Sequence, residues 1–259
     1  MKHFIYFIFL LPFFSFSQEN MEANLIESTD IKLDSLITVD NFGTIYYTKK
    51  DVFLKKTPEQ NLTYNNLQLG QLYSADAFNP LKINLFYKDF NTVIILDNRL
   101  AEIFKIDFNS ISPYKNISHV STGFDNSIWI FNQDLQKLEL FDYKTKTTRA
   151  QTAPVQSQVL DLKSNYNYCW LLTQNYLYVY NYFGSLVKKI ENTDFTSIDI
   201  SGENLLFKQN NTLFFLKANG TTPQKIKIPH LSIKGFSLTN ETLYIYDSEI
   251  LYKLQLKTL

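Results

Sequence analysis

A short apolar strand, a polar turn of two to four residues and a second apolar strand recur along this chain at nearly even spacing. The clearest copy is residues 121–142, with an apolar strand at 128–131, a polar turn at 132–134 and a second strand at 138–141. Similar units are read at 37–55, 83–106, 159–180, 197–216 and 235–256. The first apolar residues of their third strands are Val52, Ile103, Leu138, Leu177, Leu213 and Leu251, at intervals of 51, 35, 39, 36 and 38. Strands such as 92–96 are apolar on both faces, so an isolated unit leaves apolar surface in water and the units must stack. Closing the stack into a ring leaves only short edges. The expected fold is all-β: a single β-propeller of six blades at about 40 residues each, or seven if residues 56–82 hold a degenerate unit. Residues 186–190 and 224–228 carry lysines and read as outer strands with a charge-protected edge. The last unit runs out after its third strand, and residues 31–33 are expected to supply the missing one and close the ring.

The N-terminus reads differently. Lys2 and His3 precede an uncharged, Phe-rich run at 4–16, and Ser15-Phe16-Ser17 stands just before Gln18. A short positive end, an apolar centre and small residues before the cut are the layout of a secretory signal peptide. The domain expectation is a signal at 1–17, a flexible polar lead-in at 18–30 and the propeller at 31–259. That makes the protein exported, to the periplasm, outer envelope or medium, with no membrane span left after cleavage.

Charge removes one class of function. The chain has 25 basic and 25 acidic residues, and no lysine run with interleaved aromatics. Nucleic-acid binding needs a concentrated positive field to displace counterions, so it is not expected. The single cysteine, Cys169, lies in an apolar run and reads as a buried small hydrophobe.

Two turns carry a likeness to known proteins: Asp40-Asn41-Phe42-Gly43 leading into 44–47, and Asp125-Asn126 leading into Ile128-Trp129-Ile130. With them, residues 37–256 resemble the secreted bacterial six-bladed β-propellers that include NHL-type repeats, as a fold pattern without a close family match. The resemblance implies a binding or assembly module, in some members an enzyme.

No catalytic constellation is legible. His119 and His230 are far apart in sequence and read as surface or inter-blade residues. Asp40, Asp89, Asp125 and Glu203 recur at corresponding turns, where Asp serves the turn by bonding its own backbone. The turns read between second and third strands fall on one ring face and give the candidate binding residues Arg99, Asp97, Asp134, Asp247 and Glu249. The functional expectation is a monomeric, non-catalytic binding or scaffold propeller of the cell envelope, meeting a protein or glycan partner and needing no cofactor or metal. The alternative is an exported propeller enzyme of hydrolase, lactonase or cyclase type with its site at the channel mouth.

Overall fold

Alternation of apolar and polar residues, broken every five or six residues by Asn, Asp or Gly, gives short antiparallel strands and tight turns throughout. The computed structural model describes residues 21–258 of the 259. The expected signal at 1–17 lies outside them. The first strand, β1 (Met21–Asp30), is followed by four antiparallel meanders. Strands β2 (Ser35–Val39), β3 (Ile45–Lys49), β4 (Val52–Lys56) and β5 (Asn61–Tyr64) make the first sheet. Strands β6 (Ser74–Asp76), β7 (Ile83–Tyr87), β8 (Thr92–Leu96) and β9 (Glu102–Asp107) make the second. The third holds β10 (Ile117–Thr122), β11 (Ser127–Asn132), β12 (Lys137–Asp142) and β13 (Thr147–Gln151). The fourth holds β14 (Val159–Ser164), β15 (Tyr168–Thr173), β16 (Tyr176–Asn181) and β17 (Leu186–Glu191).

The remaining strands form one sheet. They are β18 (Ser197–Ser201), β19 (Asn204–Gln209), β20 (Thr212–Leu216), β21 (Gln224–Lys227), β22 (Gly235–Thr239), β23 (Thr242–Tyr246) and β24 (Ile250–Thr258). With β1 they run β18-β19-β20-β21-β1-β24-β23-β22. The all-β, propeller-like arrangement is therefore present, but as four four-stranded sheets and one eight-stranded sheet, not six separate blades. The cause is β1, which pairs antiparallel with β24 and parallel with β21.

Three further expectations are corrected. Residues 31–33 form no strand; Ile31 and Leu33 are buried in an apolar cluster with Leu36, Tyr244 and Tyr246. Residues 21–30, expected as a flexible lead-in, are strand β1, with Met21 and Ala23 buried. Residues 56–82 hold no seventh unit, but the last strand of the first sheet and the short β6 of the second. Ile103 consequently sits on a fourth strand. The matching third-strand residue is Val93, and the intervals on either side become 41 and 45 instead of 51 and 35.

Apolar clusters lie between consecutive sheets. Tyr46 and Phe53 pack on Ile83 and Leu85, Val93 and Ile95 on Ile128 and Ile130, and Trp129 and Leu140 on Leu171. Trp170 and Leu172 pack on Leu205 and Phe207, and Tyr244 and Tyr246 pack back on Leu36 and Tyr47. β7, β8, β11 and β12 are buried or nearly so along their whole length, as two-sided packing requires. The first strands β10, β14, β18, β22 and β2 neighbour one another in turn, so first strands line the axis.

Alternation of strand direction sorts the turns. First-to-second and third-to-fourth turns lie at one end of every sheet, here the near face. Second-to-third turns and the connections between sheets lie at the other, the far face.

Candidate functional site

Residues i and i+2 of a strand share a face, and polar residues of each first strand meet those of neighbouring first strands. The polar residues so placed include Thr38, Asp76, Ser121, Asp161, Lys163, Asp199 and Ser237. The Lys163 ammonium lies 3.6 Å from Asp199 Oδ1. Burial works against that ammonium, but Asp199, Asp161 and Asp76 more than offset it and raise its pKa. A cavity of about 50 Å³ remains beside it, lined by Thr38, Asp76, Phe78, Ser164 and Asp199 among others.

These groups are already engaged in holding sheets together. Thr122 N–H and Ser121 Oγ–H donate to Asp76 Oδ2 at 2.7 and 2.8 Å. Ile198 N–H donates to Asp161 Oδ2 at 2.9 Å, and Leu238 N–H to Asp199 Oδ2 at 2.8 Å. Each carboxylate thus reaches from one first strand to the next: Asp76 of β6 to β10, Asp161 of β14 to β18, and Asp199 of β18 to β22. Buried carboxylates must be paired or hydrogen-bonded, and here that need is met structurally.

The far face differs. Where the second, third and fourth sheets meet, a cleft of about 440 Å³ opens, within the range of small-molecule sites. Its walls include Tyr73, Lys88, Gln133 and Gln158, with Ser118 and His119 of β10 at the start of that strand. Ser118 Oγ and His119 Nδ1 are 2.9 Å apart. His119 is half-buried, and its pKa is lowered to about 4. Burial is the main cause; Lys88 adds to it and Asp161 opposes it. The imidazole is therefore neutral at pH 7. Lys88 follows β7, and its ammonium lies 4.5 Å from the centroid of the Tyr73 ring.

The five residues proposed from sequence are not brought together. Asp97 and Arg99 lie in the β8–β9 turn, a third-to-fourth turn on the near face. Asp97 Oδ1 accepts from the N–H of Arg99 and of Ala101, both at 2.8 Å, and so shapes its turn. Asp134, Asp247 and Glu249 lie in second-to-third turns on the far face. Asp247 accepts from Glu249 N–H, Ile250 N–H and the Tyr252 hydroxyl, while Asp134 accepts from Asn116 Nδ2. None lines the axial cavity or the cleft, although Gln133 and Gln136, beside Asp134, do. The split follows from the shifted reading of the second unit: a one-strand error moves its turn to the opposite face.

Other expectations fare better. Asp40 Oδ1 accepts from Phe42 N–H and Thr44 N–H at 2.9 Å, a turn role. Cys169 is fully buried, and burial raises its pKa well above the usual range. His230 is exposed.

No protein-family model matches the chain, and no curated protein does by sequence. Solved structures do match in shape. A catalytically inactive histidine-to-alanine variant of virginiamycin B lyase from Staphylococcus aureus, with quinupristin, is 13% identical at a TM-score of 0.60, covering 84% of this chain and 78% of that one. A streptogramin B lyase is 10% identical at 0.59, covering 92% and 97%. A chain of the mitotic checkpoint complex is 12% identical at 0.63, covering 98% of each. At such identities the likeness establishes the fold, the β-propeller, and nothing finer. The expectation that the protein is not an enzyme is corrected on the same ground: lyases are among the proteins that share this fold, so the fold gives no reason to set catalysis aside. No helix among the described residues is long and apolar enough to cross a membrane.

Proposed function

We propose that the protein is an exported propeller enzyme that works by acid–base chemistry, of the hydrolase or lyase kind, at the far-face cleft. The observation that carries this reading is His119: a half-buried imidazole, neutral at pH 7, in the wall of a cleft of about 440 Å³. A neutral imidazole accepts a proton from the substrate or from water, and one whose pKa is lowered to about 4 is a weak base whose imidazolium needs stabilising. Asp161, which already favours the charged form of His119, stabilises the imidazolium that results. The Lys88 ammonium favours negative charge developing on the substrate. The lyases that share the fold lend support, since one of them loses catalysis when a histidine becomes alanine. Export rests on the signal-like residues 1–17.

We read the eight-stranded sheet as two blades, six in all, latched by β1. Support comes from the unequal pairing of β1, nine residue pairs with β24 against two with β21.

The test is turnover by wild type and His119→Ala against a panel of p-nitrophenyl esters, aliphatic lactones and a cyclic depsipeptide of the streptogramin B kind, with products read by mass spectrometry. Wild type is expected to turn over at least one member, and the variant to lose about 100-fold or more, the usual worth of a general base. Equal turnover by both proteins would remove His119 from the chemistry.

A second reading, partner binding on the near face, is favoured by exposed aromatics there. Phe78 and Tyr166 meet edge-on at 5.2 Å, Phe124 and Tyr182 at 5.6 Å, and Phe183 is 67% exposed.

A further inference from the structure

The cleft beside His119 is one-sided in charge. Lys88 is the one lysine or arginine in its lining; the rest of the polar lining is amide, hydroxyl and the His119 imidazole, with no carboxylate. Lys88 is half-buried, and among the described residues it has no carboxylate within ion-pair distance. Its ammonium is instead held over the Tyr73 ring. That ring is fixed in turn: Tyr73 N–H donates to Phe86 O at 3.0 Å, and the two rings meet edge-on at 5.9 Å. A lysine with a free stem would swing into water. One held by a ring at the wall of a cleft keeps a positive charge aimed at whatever enters, and a partly desolvated cation without a counter-ion attracts an anion strongly. Gln133, Gln136 and Gln158 supply amide groups that pair with carbonyl and amide groups of a ligand.

We propose that the cleft takes a small molecule bearing a carboxylate, with the Lys88 ammonium as its counter-ion. The proposal rests on the reading of this cleft as the functional site and names the class of ligand that enters it. The carboxylate docks at Lys88, which leaves the rest of the molecule to lie along the amide-lined wall toward His119.

The test compares two fluorescent probes that differ only in charge, dansylglycine and dansylglycinamide, titrated into the full chain. Wild type is expected to bind dansylglycine about tenfold or more tightly than the neutral amide, as one partly desolvated ion pair provides. Lys88→Met is expected to remove the preference, and Lys88→Arg to keep it. Equal affinity for both probes, a preference that survives Lys88→Met, or no binding of either at millimolar concentration would each overturn the proposal. Because the titration reads binding without turnover, its failure is separate from failure of the enzyme reading: ester or lactone turnover that depends on His119 with no carboxylate preference sinks only the ligand class.

Discussion

Holding an imidazole neutral down to about pH 4 has a cost that reaches the stability of the whole chain. In the unfolded chain His119 titrates near 6.5, whereas in the fold burial lowers it to about 4. Between those values the unfolded state binds a proton that the folded state does not, so stability falls as pH drops through that window; below about 4 both states are protonated and the term stops growing. Between pH 7 and 5 the loss is on the order of 2 kcal/mol. That range lies above the one in which Glu139, Asp142 and Asp247, all held low by their hydrogen bonds despite burial, take up protons. Urea midpoints at pH 7 and 5 check it: the wild-type midpoint should fall between them, and that of His119→Gln should fall much less. An equal drop in both proteins would show that some other group senses the pH. The sequence offered no route to this residue. His119 belongs to no motif, and its environment comes from Lys88 and Asp161, which lie 31 and 42 residues away in other sheets.

At the scale of elements, the strands that pack on both faces declare themselves and the others do not. Val93-Ile94-Ile95 in β8 and Ile128-Trp129-Ile130 in β11 can only be interior strands. β6 is three residues, Ser-Ala-Asp, with no apolar pattern, and its pairing with β7 is set by the sheet rather than by propensity. Missing it shifted a whole unit by one strand and carried Asp97 and Arg99 to the wrong face. β1 reads as a polar lead because only Met21 and Ala23 of its ten residues are buried. Its role is an outer strand that covers β24 and touches β21. A chain beginning at residue 31 would expose Leu254, Leu256 and Ile226, three of the apolar residues that share a cluster with Met21. Loss of that burial and of the ladder is expected to cost about 3 kcal/mol or more relative to a chain beginning at residue 21. Urea denaturation of the two chains measures it directly, and coincident midpoints would show that β1 contributes nothing to the ring.

The whole molecule turns its axis-lining first strands into a tethered polar column with two unlike faces. Carboxylates at Asp76, Asp161 and Asp199 tie the column together, so the axis itself serves structure. The near face presents aromatics and the Asp97–Arg99 turn, whereas the far face presents the cleft with Lys88 and His119. Repeat spacing told that a ring forms; which face carries chemistry depends on side chains from three sheets, and no single unit contains them. One comparison tests that assignment most directly: turnover of the same ester, lactone and depsipeptide panel by wild type, His119→Ala and the double variant Asp97→Ala/Arg99→Ala. Activity should fall by about 100-fold or more in His119→Ala and stay within about twofold of wild type in the near-face variant, as expected of substitutions in a turn away from the site. Loss in the near-face variant with His119→Ala still active would contradict the assignment and move the site to the opposite end of the ring.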